Sequence, residues 1–436
     1  MSRELSPTSR RLIGAGAATA LFLAAVLLFS CMQPPVAVTH PPSEVTTPVG
    51  TPRPARVLLV ESAPTATIAA SSDYTIAPGE AAPGVPAAPL DQGARLAETP
   101  VRAAGSGFSL GTRHVPGPAI LVSSYADGAL SVNGSRYRGQ LLIRRLGVEI
   151  SVLNLVPVEH YLYSVLGSES YASWPEAALD AQAIIARSYA LWRMAQRRDE
   201  PFDLVATVTD QSYLGIAKEN PRLSAAVDRT EGIVLLYQMK LFRCYYHSTC
   251  GGATEAVQNV FPDPPLLPLS SVPCAFCKDS PHYRWHCQIS KAELADALRR
   301  GGTALSRLAS LEVATRTPSG RVQDLAVDSS DGAKLAMRAG DFRLRVGPRR
   351  LPSTWFEIRD LGAAYEFRGR GWGHGVGLCQ WGSKGMAEAG RSATAILQHY
   401  YPGATLQRLY RGRDYVRTEA APAAAAAAEG AVPEVP

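Results

Sequence analysis

One long run with helical period stands among short strand-like runs, and this imbalance constrains the fold more than any other feature of the chain. From 175 to about 196, Ala177, Ala181, Ile184, Ile185, Ser188, Leu191 and Trp192 recur on one face. Pro175 suits a first helical position, and Glu176 complements the helix dipole. Upstream, apolar runs at 119–124, 140–145 and 148–154 predict strands, with Gly128, Asn133-Gly134 and Gly147 as turn punctuation and a small antiparallel sheet as the result. Downstream, strands are predicted at 232–236, 241–246, 308–313 and 322–329, and helices near 378–389 and 394–401 close the domain. There is no β-α-β-α rhythm and no internal repeat, so the fold class is α+β: a single large domain with antiparallel sheets and a long central helix.

The ends of the chain do not look like core. Arg3, Arg10 and Arg11 precede a nearly uncharged apolar run from Leu12 to Ser30, the layout of an export signal, which assigns 1–31 to a signal or anchor segment. Leu28-Phe29-Ser30-Cys31 resembles a lipobox whose cysteine would be lipidated; the alternative is an uncleaved anchor, since about 19 apolar residues just span a bilayer. Either reading puts the chain in the cell envelope, extracytoplasmic and membrane-anchored. Residues 32–104 are rich in Pro, Ala, Thr and Ser and read as a disordered tether, with Val57-Leu58-Leu59-Val60 as an isolated strand-like island. The segment 416–436 is a low-complexity tail, which leaves 105–415 for the domain. The net charge of +6 at pH 7 is scattered; it suits an acidic polymer or an anionic membrane surface and falls short of a nucleic-acid footprint.

Three blocks carry the chemistry: "VPVEHYLYSVLGSESYASWPEAALDAQAIIARSYAL" at 156–191, "YYHSTCGGATE" at 245–255, and "GRGWGHGVGLCQWGSKGMAEAG" at 369–390 followed by "ILQHYYPG" at 396–403. In this order they resemble the stage II sporulation protein D family (SpoIID/LytB domain), and the likeness covers roughly 105–415. The resemblance implies action on peptidoglycan glycan strands. Members include lytic transglycosylases that prefer peptide-stripped MurNAc-GlcNAc backbone and amidase enhancers that stimulate a wall amidase. It also implies that Glu169 is the catalytic acid. Where the family often carries Met-Pro after this glutamate, Ser170 and Tyr171 stand here.

A lytic transglycosylase needs one carboxyl, which protonates the glycosidic oxygen and then takes a proton from the C6 hydroxyl that closes a 1,6-anhydro ring; ordinary glycosidases use two. Glu169 lies in "GSESYASWP", read as a loop between helical stretches, with Tyr161, Tyr163, Tyr171 and Trp174 nearby. Aromatic neighbours stack on sugar faces and lower the local dielectric, as a general acid requires. Arg187, Ser188 and Tyr189 on the long helix are candidate substrate contacts, although an arginine at such a place is more often a structural ion-pair partner. "TDQSYLG" offers Asp210, Gln211 and Tyr213 as sugar hydrogen-bonders. In the second block, His247, Ser248, Thr249, Gly251 and Gly252 combine polar groups with tight backbone approach. In the third, glycines alternate with Trp372 and His374, a pattern unlike a dinucleotide loop, and would leave an open floor on which Trp372, His374, Gln380 and Trp381 meet a glycan. The same groove would serve a non-catalytic binding module that enhances an amidase, in which case Glu169 would be dispensable.

Of seven cysteines, Cys31 belongs to the export segment. An even remainder in an oxidising compartment favours disulfides. Against this, "CAFCKDSPHYRWHC" gathers Cys274, Cys277, His286 and Cys287, with His282, at spacings adequate for a structural zinc, and some members of the resembled family carry zinc. The anhydro mechanism itself requires no cofactor.

Overall fold

The computed structural model describes residues 52–79, 88–125 and 128–411. Its first half is built from two largely antiparallel sheets. In one, strand Ala55–Ala63 lies beside Glu149–Val156, which continues outward through Gln140–Leu146, Ala119–Ser124, Tyr74–Pro78 and Asp91–Gly93. The other centres on Ala66–Ala70 and Leu96–Ala104. Val57, Ile68, Ile76, Val101, Phe108, Ile120, Leu141, Ile143 and Val152 share one buried cluster with the helices that follow.

The described residues of 52–79 and 88–104 therefore correct the expectation of a disordered tether reaching 104, and Val57–Val60 is not an isolated strand. The composition is poor in large apolar side chains, but every second residue of Ala66–Ala70 is buried. Ala55–Ala63 finds its partner in Glu149–Val156, almost a hundred residues away. Asp203 clamps the start of this strand, accepting from Arg53 and Arg56 at 2.6–2.8 Å. The signal segment with Cys31, the tether up to 51 and the tail from 416 lie outside the described residues.

Pro157 ends strand Glu149–Val156 and starts helix α1, Val158–Glu169. The long helix α2, Glu176–Gln196, follows with Pro175 as its N-cap. Rather than one apolar face, α2 buries residues on nearly all sides, because sheets, α1 and the C-terminal helices surround it. Helix α3, Pro221–Arg229, is capped by the Asn220 side chain.

Residues 284–370 form an insertion with a core of its own. Two three-stranded sheets enclose α4, Lys291–Arg300, which opens on a Ser290/Glu293 capping box, and α5, Ala339–Val346. The chain then returns to α2 through the glycine block, α6 at Gln380–Glu388 and α7 at Ala393–Tyr400, and strand Thr405–Arg408 pairs with Ile233–Tyr237. The predicted strand at 241–246 is split into two short pieces, since Tyr246–His247 pairs in parallel with Leu378–Cys379 and so delays the start of α6.

Candidate active site

Glu169 is the last residue of α1, not a loop residue, and it is 1% exposed. Ser170 leaves the helix in extended conformation, and residues 170–174 turn the chain into α2. The glutamate is held from two other segments. The Ser212 N–H faces its Oε1 at 3.4 Å, and Gln380 Nε2 donates to its backbone oxygen at 3.1 Å. Tyr246 lies in the same polar pocket: burial and then the Glu169 charge hold its hydroxyl well above the ordinary tyrosine range. Its oxygen accepts from Gln211 Nε2 at 3.3 Å, and Gln211 Oε1 accepts from Tyr161 at 3.2 Å. Gln211, a candidate sugar contact, is thus consumed by an internal network.

The second and third blocks are laced together by backbone. Thr249 and Trp372 exchange both backbone hydrogen bonds, and the Trp381 N–H donates to Ser248 O. His374 Nε2 donates to Tyr246 O at 2.9 Å while its Nδ1 accepts from the Val376 N–H at 3.0 Å, which fixes a neutral tautomer. His247 Nδ1 donates to Val376 O at 3.1 Å. Burial, with Arg321 adding to it, pushes the His247 imidazole down to about 3. The two rings lie 5.5 Å apart. The glycines do not leave an open floor: a Cβ on Gly377, at φ +71°, would sit 2.0 Å from Tyr245 O, and one on Gly375 would meet the Arg321 guanidinium at 2.7 Å. They are there because backbone and arginine occupy that space.

Three aromatic side chains stand in a row, with Tyr171 exposed, Trp381 half-buried and Trp174 buried. Tyr171, 37% exposed, lies 5.5 Å from Trp174, which meets Trp381 edge-on at 5.6 Å. Trp381 follows Gln380, so the residue that holds Glu169 and the one that extends the row are adjacent on α6.

Other expected substrate contacts are structural. Arg187 is fully buried and forms a two-pronged ion pair with Glu159 at 2.6 and 2.8 Å. Ser188 donates to Ile184 O and accepts from the Leu235 N–H. Tyr189 donates to Asp210, which also neutralises Arg193, and Tyr213 donates to Asn154. Helix period put Arg187, Ser188 and Tyr189 on α2 but did not show that α2 is enclosed. Trp372 is buried against His282 at 4.3 Å, Thr249 is buried, and Gly251 backs onto Arg370. Sequence reasoning missed Ser212, Tyr246 and Glu159; only the three-dimensional pairing identifies them. A cavity of about 590 Å³ lies on the insertion, lined by Arg284, Trp285, Trp355, Glu366 and Arg370 among others, and shares no residue with this cluster.

The cysteine expectation is also corrected. Cys274 and Cys277 gather with Cys250 and Cys379, not with His286 and Cys287. Cys287 sits on strand Arg284–Ser290, where its Sγ donates to Arg350 O, and His286 lines the cavity on the insertion.

An α+β chain with a buried helix-end glutamate, a His-Ser-Thr-Cys segment and a glycine-rich strand-to-helix turn defines a recognisable class. A family model described as "Stage II sporulation protein" matches residues 147–237, and one described as a domain of unknown function (DUF8618) matches 275–377. The chain is 32% identical over 284 residues to an uncharacterized protein of Brachyspira hyodysenteriae, covering 65% of this chain and 75% of that one. It is 29% identical over 265 residues to stage II sporulation protein D of Bacillus amyloliquefaciens, covering 57% and 73%. It is 28% identical over 295 residues to an amidase enhancer of Bacillus subtilis, covering 56% of this chain and 40% of the enhancer. The chain belongs to the stage II sporulation protein D family.

Proposed function

We propose that the chain is a peptidoglycan lytic transglycosylase in which Glu169 is general acid and then general base. The observation that supports this best is the setting of Glu169: 1% exposed, anchored through Ser212 and Gln380, and edged by Tyr171, Trp174 and Trp381. A buried carboxyl held by fixed hydrogen bonds is suited to exchanging a proton with a bound sugar oxygen, and the exposed Tyr171 ring is suited to a sugar face. In the reaction, Glu169 gives its proton to the bridging oxygen between MurNAc and GlcNAc as the C1–O bond breaks. The carboxylate then takes the C6 hydroxyl proton, and the C6 oxygen attacks C1 to close the anhydro ring. One carboxyl serves both steps.

A second reading is a glycan-binding module that enhances a wall amidase. The amidase enhancer relative supports it, and so does the depth of Glu169, which is 1% exposed. We place the chain in the cell envelope, tethered through a lipid on Cys31 or an uncleaved anchor; labelling with a radioactive fatty acid and its loss in Cys31→Ser distinguish the two. No helix among the described residues is long and apolar enough to cross a membrane.

The deciding experiment incubates the full chain in detergent with peptide-free glycan strands and looks for 1,6-anhydro ends by mass spectrometry. Products are expected from the wild type and not from Glu169→Gln. Strands that stay intact but bound, with amidase stimulation retained in Glu169→Gln, would replace the enzyme by the module.

A further inference from the structure

Four cysteines from three distant segments converge on one point. The sulfurs of Cys250, Cys274, Cys277 and Cys379 all lie within 4.8 Å of one another, and Cys250 and Cys277 are 3.5 Å apart. A tetrahedral zinc with Zn–S of about 2.3 Å sets sulfur–sulfur edges of about 3.8 Å, so this spacing is that of a shared central ion. Disulfides would draw the sulfurs together in pairs at about 2.05 Å and give no reason for two pairs to share a centre.

The surroundings are built for thiolates. Cys379 Sγ accepts from the backbone N–H of Cys250 at 3.2 Å and of Gly382 at 3.3 Å, and the Tyr400 hydroxyl lies 3.1 Å from Cys274 Sγ. Such outer hydrogen bonds orient metal ligands and disperse their charge. A Cβ on Gly382 would fall 2.7 Å from Cys274 Sγ and 2.0 Å from the Tyr400 oxygen, so the first turn of α6 admits the cluster only as glycine. Arg321, 1% exposed, donates to Cys250 O at 2.6 Å, and its Nε and Nη1 have no hydrogen-bond partner among the described residues. Four thiolates and one divalent ion leave a net charge of −2. A buried guanidinium beside them, with Glu255 also in its field, answers part of that charge.

We propose that Cys250, Cys274, Cys277 and Cys379 bind one zinc ion in a closed tetrathiolate site that bolts the second and third sequence blocks together. Zinc is the borderline-soft, redox-inert ion suited to a closed tetrahedral set of four thiolates, and four protein ligands leave no position for a reactive water. Its role is positioning: Cys250 ends the segment carrying His247 to Thr249, and Cys379 immediately precedes the glutamine that holds Glu169. The site stands whether Glu169 cleaves glycans or only binds them.

The test uses the full chain purified without reductant or added metal. Elemental analysis should find one zinc per chain, and alkylation with mass spectrometry should show four thiols that become reactive only after denaturation with a chelator. Exchange with cobalt should produce the sulfur-to-metal charge-transfer and visible bands of a tetrahedral thiolate site. Cys379→Ser should lower zinc retention against a competing chelator at least tenfold, while Cys244→Ser and Cys287→Ser retain full zinc. The wild-type measurements stand even if Cys379→Ser does not fold. Two disulfides among these four residues, or four free thiols without metal, would overturn the proposal.

Discussion

Replacing Glu159 by leucine asks whether Arg187 serves the scaffold or the ligand. The Glu159 carboxylate accepts from Arg187 Nε at 2.8 Å and Nη2 at 2.6 Å, from Tyr410 at 2.7 Å and from the Gly232 N–H at 3.3 Å. The side chains of the pair are 4% and 0% exposed. Burial alone would raise this carboxyl, but Arg187, Tyr410 and the Gly232 N–H together outweigh it and hold the group below its ordinary value of 4.5. Its stabilisation is therefore complete above that value and lost as pH falls through the lower folded one. Two unit charges about 4 Å apart attract by about 4 kcal/mol at an effective dielectric of 20. Removing one member of a buried pair typically costs about 3–5 kcal/mol, because the other charge is stranded. Glu159→Leu should thus lower the urea midpoint by roughly 1–2 M if m is near about 3 kcal/mol/M, followed by tryptophan fluorescence. The double variant Glu159→Leu/Arg187→Met should recover more than half of that loss. A single variant that loses under about 1 kcal/mol while glycan binding collapses would return Arg187 to the ligand and refute the reasoning.

Gln380→Ala should change unfolding free energy by only about 1 kcal/mol yet reduce glycan turnover or binding, because it frees the Glu169 end of α1; unchanged function would show that this hydrogen bond does not position the acid. Gly377→Ala should cost about 2–4 kcal/mol from strain at φ +71° and the clash with Tyr245 O, whereas Gly340→Ala, with open space at its Cβ, should be neutral or stabilising; equal melting temperatures for the two would contradict the packing described. Below pH of about 6.5 the unfolded chain protonates His247 while the folded chain does not until about 3, so stability should fall with acid by up to about 1.4 kcal/mol per pH unit. Urea titrations at pH 7 and 5 should show that His247→Asn flattens this dependence, and an unaltered slope would place the acid sensitivity elsewhere.

Local pattern in the sequence was enough for the elements that carry their own signal. Strands 119–124 and 322–329 are bounded as their apolar runs predict, Pro175 opens the long helix, and α+β follows from the absence of a β-α-β rhythm. Tertiary structure alone decided the rest. The Ala-rich strands of 55–104 look unstructured until their partners, up to a hundred residues away, pair with them. Ser188 and Tyr189 look like ligand contacts until α2 is seen to be surrounded, while Arg187 finds its ion-pair partner only in the fold. The C-x-x-C at 274–277 suggests neighbours at 286 and 287, yet its companions in space are Cys250 and Cys379. Periodicity and capping act within a few residues, so a sequence displays them directly. Burial, ion pairing and ligand geometry depend on which distant segments pack together, and that is settled only when the chain closes its cores.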